Sequence, residues 1–349
     1  AAPTKLRKGQ YAALICDNDV ALHSTGGEWM KPESYAKYHI VGQIFRVKSA
    51  AGTQVEIDRP IRLDYFSKER RPRLRPLEVI ERAGVEDLHI WANKNIGYLF
   101  MVSKAADCWI RRCHTEFPLN AHVKVSLSHG ITVRDNLMHH AYGYGGGGQG
   151  YGVWLGHWST DCLVENNVFY HLRHAMLTTL GANGNVFGYN TSHECKLNCD
   201  ISMHGFYSYM NLFEGNTVVN VDYSDYWGPV GPYNTCYRNR VTSGGIQMKN
   251  HTHRANIIAN TMLGKKISVQ PTCKEAHLEK NVSRSSPLSE WKIPASLYLK
   301  EKPAFWGERP WPGIGADVDV RALRAGKALQ PTPADERFEE FMAGGKAKK

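Results

Sequence analysis

The sequence predicts an all-β chain: a right-handed parallel β-helix with an N-terminal cap and an extended C-terminal segment. Three observations predict this solenoid: a repeat through the middle of the chain, the β-branched and aromatic residues within each repeat, and the Asn that closes most repeats. A hydrophobic content of 42% in 349 residues is sufficient for one continuous core.

The repeat is a short stretch that reads apolar, any, any, Asn. It occurs in nine units, whose fourth positions lie 20 to 31 residues apart. A period of this size is typical of stacked solenoid coils. The units run from Ile90 to Asn93, Ile110 to Cys113, Val133 to Asn136, Val164 to Asn167, Phe187 to Asn190, Phe213 to Asn216, Tyr237 to Arg240, Ile257 to Asn260 and Leu278 to Asn281.

Each unit has the composition of a strand that enters a turn, as in the segment from Thr132 to Asn136. Asn tolerates left-handed backbone, and its amide can bond the Asn of the next coil, so we expect a stacked Asn ladder. Coils are about 4.8 Å apart, the spacing of paired strands, so residues at one offset from the Asn should form a column.

The repeat divides the chain into three parts. Residues 1–79 predict a β-rich N-terminal cap, with a hairpin from Arg46 to Asp58 around Ala51 and Gly52. Residues 80–285 contain the coils and the predicted catalytic core. Residues 286–349 predict an extended segment packed on the coils, with a mobile tail from about Pro331.

The formal net charge of +10 favours a polyanionic partner, although a basic surface without a partner is the alternative. The sequence has no nucleic-acid recognition motif with the required spacing and no apolar run long enough to cross a bilayer. An acidic polysaccharide is therefore the expected partner of a monomeric chain, rather than nucleic acid or a membrane. Ala1-Ala2-Pro3 is similar to the remnant of signal-peptide cleavage, which predicts a secreted or periplasmic location.

Eight cysteines also fit an oxidising compartment. Cys195 and Cys199 are spaced for a loop disulfide. In the alternative interpretation, Cys108, Cys162 and Cys236 are small apolar residues of the core.

One predicted column, four residues past the anchors, contains His140, His171 and Glu194 on consecutive coils. Imidazole and carboxylate groups bind divalent metals, so a cation such as calcium is the candidate cofactor. A polar ladder without metal is the alternative, since stacked turn residues also bond one another.

The longest repeat contains the insertion from Tyr142 to Tyr151, in which Tyr alternates with Gly. Gly lets a backbone approach a ligand closely, and the Tyr142 and Tyr144 rings offer flat, half-polar surfaces suited to sugar rings. A Gly-rich bulge without a ligand is the alternative.

Several segments resemble bacterial exported proteins of the pectate-lyase-like β-helix superfamily, over about residues 80–320. The resemblance does not extend to the polygalacturonase motifs or to a pectate lyase calcium signature, so it does not indicate pectin as the substrate. Superfamily members are mostly polysaccharide lyases and glycoside hydrolases, with some epimerases and phage tailspikes. The segments that carry the resemblance are Gly148 to Gly152, Cys162 to Asn167, Leu172 to Met176, Gly181 to Val186, Met203 to Gly205 and Asn211 to Asn216.

The leading hypothesis is β-elimination on a uronic-acid-containing polysaccharide. This reaction needs a cation beside the carboxylate and a base near neutral pKa, roles that fit Arg173 and either His174 or His204. Tyr207 would protonate the leaving oxygen. Asp225 is a further catalytic candidate. The substrate-binding candidates are Tyr142, Tyr144, His140, His171, Trp227 and Lys249.

Two other functions remain open on the sequence. A glycoside hydrolase would use a carboxylate pair drawn from Glu194, Asp200 and Asp225. A non-catalytic, tailspike-like solenoid would bind carbohydrate without cleaving it.

Overall fold

The computed structural model describes residues 5–18, 39–64, 70–93, 95–197, 199–224, 229–288 and 291–346. Short strands wind into parallel coils, and each full coil contributes one strand to each of three sheets. The chain is therefore a parallel β-helix, as the repeat predicts.

The strands of sheets 1 and 2 are joined within every coil by a turn of two residues. Sheet 1 consists of Gly84–Glu86 (β6), Trp109–Arg111 (β10), Thr132–Arg134 (β13), Leu163–Glu165 (β16), Val186–Gly188 (β19), Leu212–Glu214 (β22), Thr235–Tyr237 (β25), Asn256–Ile258 (β28) and His277–Glu279 (β31). Sheet 2 consists of His89–Trp91 (β7), His114–Glu116 (β11), Leu137–His139 (β14), Val168–Tyr170 (β17), Thr191–His193 (β20), Thr217–Val218 (β23), Arg240–Val241 (β26), Thr261–Met262 (β29) and Val282–Ser283 (β32).

Sheet 3 closes each coil, and connections of variable length lead into it from sheet 2. It consists of Tyr98–Ser103 (β8), Ala121–Ser126 (β12), Tyr151–Leu155 (β15), His174–Thr178 (β18), Ile201–Met203 (β21), Val221–Tyr223 (β24), Ile246–Met248 (β27) and Ile267–Val269 (β30). A separate pair, Ile80–Glu81 (β5) and Ala105–Ala106 (β9), lies beside the first coils.

Apolar side chains from all three sheets fill the interior of the coils. Val133 and Val164 of sheet 1, Phe169 of sheet 2, and Val153 and Met176 of sheet 3 belong to one buried cluster. Their burial removes a continuous apolar column from water, which is the main stabilising contribution in a solenoid.

The expected Asn ladder is present at the turn between sheets 1 and 2. The side chain of each Asn donates a hydrogen bond to the next, from Asn136 through to Asn281. The left-handed residue, however, is the one before the Asn; Asp135, for example, has φ 62°. The Asn therefore contributes hydrogen bonds from its side chain to the turn, while the residue before it adopts the left-handed backbone conformation.

In two of the predicted units, the residue that occupies the ladder position is not the one that the sequence pattern assigned to it. Asn239, not Arg240, occupies the ladder in its coil, where it bonds Asn260. In the first coil His89 pairs with His114, so Leu88 takes the position assigned to Asn93. The first shift arises because the unit was aligned on Tyr237 rather than on the preceding core residue Cys236, and the second because Leu88 replaces Asn at the first turn, which removes the sequence signal.

The N-terminal segment forms a four-stranded antiparallel sheet, which contains the expected hairpin. Its strands are Tyr11–Ile15 (β1), Gly42–Ala51 (β2), Gln54–Ile57 (β3) and Arg73–Leu77 (β4). This sheet packs on the flank of the solenoid, where Trp158 contacts Gly42 and the Tyr11 hydroxyl donates to Asp107 at 2.9 Å. Among the described residues, its contacts thus run along the coils rather than over the open first coil.

The C-terminal segment is helical where a mobile tail was expected. After a 3-10 turn at Ala304–Trp306, it forms helices Ala316–Arg324 (α1) and Pro333–Lys346 (α2). Helix α2 packs on β17 and β20 through Ala334 and Phe338. Residues 333–346, where the sequence predicted a mobile tail from about Pro331, are therefore placed in a helix that contacts the coils.

All eight cysteines are free, so the Cys195–Cys199 disulfide is absent. Cys108, Cys162 and Cys236 lie in the buried core, as the alternative interpretation proposed. Neither helix in the described part of the chain is long and apolar enough to span a bilayer.

Candidate functional site

The C-terminal segment covers parts of the outward faces of sheets 1 and 2. The Tyr298 hydroxyl donates to Glu165 of sheet 1 at 2.7 Å, and the Phe338 ring stacks on His193 of sheet 2 at 3.8 Å. The apolar clusters that the described C-terminal residues form with the coils involve sheets 1 and 2 and their turns, and include no residue of sheet 3. The outward face of sheet 3 is therefore the candidate face for a ligand.

An aromatic and basic strip runs along the outward face of sheet 3; we call Tyr98, Lys124, Tyr151, Trp154, His174 and His204 the sheet 3 strip. The Lys124 ammonium lies 4.1 Å from the centroid of the Trp154 ring and 4.8 Å from that of Tyr98. It also donates a hydrogen bond to the Tyr98 hydroxyl at 3.2 Å. Parallel pairing of β8, β12 and β15 brings these three residues together.

Three rings continue the strip on the next coils. The Tyr151 centroid lies 5.0 Å from that of His174 and 6.2 Å from that of His204, and the two imidazoles are 5.5 Å apart. Tyr151 also contacts Trp154 edge to face, with centroids 5.5 Å apart. A phenol, an indole and two imidazoles thus adjoin one another.

His174 has a defined tautomer and an available nitrogen. Its Nδ1 donates to the Cys199 carbonyl at 2.8 Å, which leaves the lone pair on Nε2. Burial, and secondarily the charge of His204, lower the pKa of His174 well below its usual range, so its imidazole is neutral.

Two buried nitrogens of the strip have no hydrogen-bond partner among the described residues: His174 Nε2 and the indole Nε1 of Trp154. Buried polar atoms without a partner are rare and call for an explanation. A ligand that binds the strip would supply one, since Nε2 can accept and the indole N–H can donate.

Arg173 holds the Gly-rich insertion in place. Its guanidinium donates to the Gly145 carbonyl at 2.6 Å and lies 5.7 Å from the Tyr151 ring centroid. The insertion therefore borders the strip. In it, Tyr142 is 56% exposed, whereas the Tyr144 hydroxyl accepts a hydrogen bond from the Ala141 amide.

The predicted column of His140, His171 and Glu194 is stacked on consecutive turns. The His140 and His171 rings lie 4.6 Å apart, and His171 Nδ1 is 2.9 Å from a Glu194 carboxylate oxygen. This hydrogen bond lowers the pKa of Glu194. Tyr144 meets His171 edge to face at 5.5 Å, so the column and the insertion form one surface.

The remaining predicted residues are dispersed. Lys249 reaches sheet 3, where its ammonium bonds the Asp222 carboxylate at 2.8 Å. Tyr207 instead packs with Ile40 and Leu63 of the N-terminal segment, so it is not part of the ring cluster. Asp225 and Trp227 lie outside the described residues.

The hydrolase pair finds no support in Asp200. This carboxylate is fully buried, and it accepts hydrogen bonds from the Ser192 hydroxyl at 2.7 Å and the Val219 amide at 2.5 Å. Burial raises its pKa to about 6. Asp200 therefore holds a turn together inside the solenoid, away from the exposed side of Glu194.

Sequence reasoning missed Tyr98, Lys124, Tyr151 and Trp154. These residues lie on the sheet 3 strands β8, β12 and β15. Their distances in sequence from the Asn anchors differ from coil to coil, because the connections into sheet 3 vary in length. Alternation around Trp154, which lies between the core residues Val153 and Leu155, was the available signal for that residue alone.

Comparisons with known proteins support the fold. No protein-family model and no curated protein matches the chain. The tailspike gp61 of Pseudomonas phage phi297 superposes with a TM-score of 0.57 at 12% identity, over 81% of this chain and 49% of the tailspike. The tailspike gp49 of Pseudomonas phage LKA1 gives a TM-score of 0.50 at 12% identity, over 82% of this chain and 59% of that protein.

The chain thus spans only about half to three fifths of the tailspikes that it matches. At this identity, the likeness shows a common architecture and leaves activity to be argued from the site. By its structure, the chain is a parallel β-helix similar to those of phage tailspikes.

Proposed function

We propose that the chain binds an acidic polysaccharide along the sheet 3 strip and cleaves it by β-elimination. The observation that carries the proposal is the adjoining set of rings and cations from Tyr98 to His204, with two buried nitrogens that lack partners among the described residues. From β8 to β24 the face is about 24 Å long at the usual strand spacing, enough for several sugar rings.

The strip has the components that recognise an anionic sugar chain. Trp154 and Tyr98 offer flat faces for sugar rings. Lys124 beside them brings positive charge to bear on uronate carboxylates, and Lys249 lies further along in an ion pair with Asp222. The chain's net charge of +10 favours the approach of such a polyanion.

In the proposed reaction, His204 removes the proton from the carbon next to the uronate carboxylate. The electron pair of that C–H bond forms a carbon–carbon double bond, and the neighbouring carbon–oxygen bond breaks toward the leaving sugar. The leaving oxygen takes a proton from Tyr151, which replaces Tyr207 as the expected donor. His204 is half-buried and meets the substrate first, while neutral His174 lies behind it.

Tyr151 is buried and directly follows the Gly-rich insertion, which Arg173 holds. Movement of this insertion would open the strip to a polymer. The proposal includes action outside the cytoplasm, where acidic polysaccharides are found, and a monomeric chain. Calcium is not assigned, because imidazoles dominate the His140 column and calcium prefers oxygen ligands.

The test is a screen of anionic polysaccharides, read by ultraviolet absorbance of the unsaturated uronate and by new reducing ends. We expect His204→Ala to lower kcat about a hundredfold or more, because it removes the general base. Trp154→Ala should mainly raise KM, by about tenfold. His277→Ala, at an exposed site on β31, is the matched control and should leave both constants unchanged.

New reducing ends without the ultraviolet absorbance would indicate that the chain cleaves the polysaccharide by hydrolysis rather than by elimination. Binding without new ends would identify a carbohydrate-binding solenoid. If no anionic polysaccharide is bound or cleaved, the proposal is wrong.

A further inference from the structure

A second cluster of histidines lies on the strands of sheet 2 in the first three coils. β7 contributes His89, β11 contributes His114 and Glu116, and β14 contributes His139. The parallel register pairs His89 with His114 and Glu116 with His139. These four side chains therefore lie side by side, although 50 residues separate the first from the last in the sequence.

The nitrogen and oxygen atoms of the cluster converge. His89 Nε2 lies 2.6 Å from Glu116 Oε1, and His114 Nε2 lies 2.7 Å from His139 Nε2. The Glu116 carboxylate is also 3.5 Å from His114 Nε2 and 3.8 Å from His139 Nε2. The ligand atoms of His89, His114 and Glu116 all lie within 4.8 Å of one another.

These separations suit a small ion with four ligands. Zn–N bonds of about 2.0–2.1 Å in a tetrahedron place neighbouring ligand atoms about 3.3 Å apart, inside the spread of distances observed here. Three imidazoles and one carboxylate are typical donors for zinc and unlike the oxygen-rich shells of calcium. We propose that His89, His114, His139 and Glu116 bind one divalent transition-metal ion, with Zn²⁺ as the best match.

Further contacts orient the proposed ligands. His139 Nδ1 lies 2.9 Å from His140 Nδ1, so the nitrogen remote from the cluster has its own hydrogen-bond partner. Such a bond fixes the tautomer and the ring plane of a metal-binding histidine. The Phe341 ring of α2 lies 4.8 Å from the His139 ring and 6.2 Å from the His114 ring, which shields this side of the cluster from water.

The site would stabilise the beginning of the solenoid. It ties together three coils at the end where Trp91 and Met101 are 63% and 61% exposed, so that few apolar contacts hold the first coil. A metal that binds only the folded state stabilises it by an amount that grows with the logarithm of the ratio of metal concentration to Kd. This inference is independent of the proposed function, since it concerns sheet 2 rather than the sheet 3 strip.

The test uses the full chain, freed of metal with a chelator and then titrated with Co²⁺ and Zn²⁺. We expect one equivalent of Co²⁺ to give the visible absorption of a tetrahedral site, and Zn²⁺ to displace it. His114→Ala and the isosteric Glu116→Gln should each weaken binding at least about tenfold. Zn²⁺ should raise the Tm of the parent chain and of neither variant.

The matched control is His171→Ala, which removes a histidine from the neighbouring column with Glu194 and should leave Co²⁺ binding unchanged. Far-UV circular dichroism of Glu116→Gln guards against loss of the fold. The proposal is overturned if the parent chain binds no stoichiometric Co²⁺, or if binding survives both cluster variants. Loss of binding only in His171→Ala would move the site to the other column.

Discussion

Replacing Asn190 by Ala should destabilise the solenoid strongly, because this side chain lies inside the Asn ladder and bonds the ladder residues on both sides of it. Asn190 is fully buried. Its Oδ1 accepts hydrogen bonds from the backbone amide and the side-chain amide of Asn167, both at 2.9 Å. Its Nδ2 donates to the Val164 carbonyl at 2.9 Å and to Asn216 at 3.0 Å.

The variant therefore loses four hydrogen bonds at once. At about 1 kcal/mol for each buried bond, the expected loss in the free energy of unfolding is about 4 kcal/mol. Little of this is recovered by relaxation, because Asn190 and Asn167 are fully buried and water does not reach the turn.

Urea unfolding followed by tryptophan fluorescence measures the effect. The matched control is Asn256→Ala on β28, which is half-buried and donates one hydrogen bond, to Thr235 at 3.1 Å. We expect the control to cost less than about 1 kcal/mol. A loss at Asn190 no larger than that at Asn256 would refute the view that the ladder holds the coils together.

Two further predictions concern the C-terminal segment and its carboxylates. Asp319→Ala should cost about 3–5 kcal/mol and expose α1 and α2 to limited proteolysis, because it leaves the buried Arg240 without the carboxylate at 2.8 Å. Unchanged cleavage of residues 286–346 would argue against this anchor. Burial raises the pKa of Glu214 to about 7. Protonation of this carboxyl group therefore stabilises the folded state fully near pH 4, and this stabilisation is lost as the pH rises through 7. Glu214→Gln should therefore gain up to about 3 kcal/mol on the parent chain between pH 4 and pH 8 in thermal or urea unfolding, and a pH-independent difference would contradict it.

The coils could be predicted because one Asn per turn marks the register. From Asn136 to Asn281 the ladder supplies that mark, and the His140, His171 and Glu194 column follows from it. Where the mark is missing, at Leu88 and Cys113, the first coil was misaligned by several residues. The metal cluster depends on that first coil, so it could not be found from the anchors.

The sheet 3 strip was harder to predict, because the number of residues between sheets 2 and 3 changes from coil to coil. No fixed offset relates Lys124 to Trp154, and only the parallel pairing of β12 with β15 aligns them. Tyr207 shows the converse error. It is close to His204 in sequence, but the turn after β21 directs it toward Ile40 and Leu63.

Helix α1 carried a weak signal that the solenoid interpretation overlooked. Asp317 and Asp319 lie in its first turn and Arg321 and Arg324 in its last, an arrangement that complements the helix dipole. Buried ion pairs with Arg238 and Arg240 complete its attachment. Such long-range partners cannot be assigned from local composition.

The constant two-residue turn between sheets 1 and 2 has a practical consequence for protein engineering. Since an added residue there would break the chain of amides, variation in length is left to the other two corners, as at the corner between sheets 2 and 3, where residues 140–150 form an enlarged connection. Randomised or grafted loops should therefore be tolerated at that corner, on successive rungs of a rigid scaffold. A library built in this way could change what the molecule recognises while its framework stays the same.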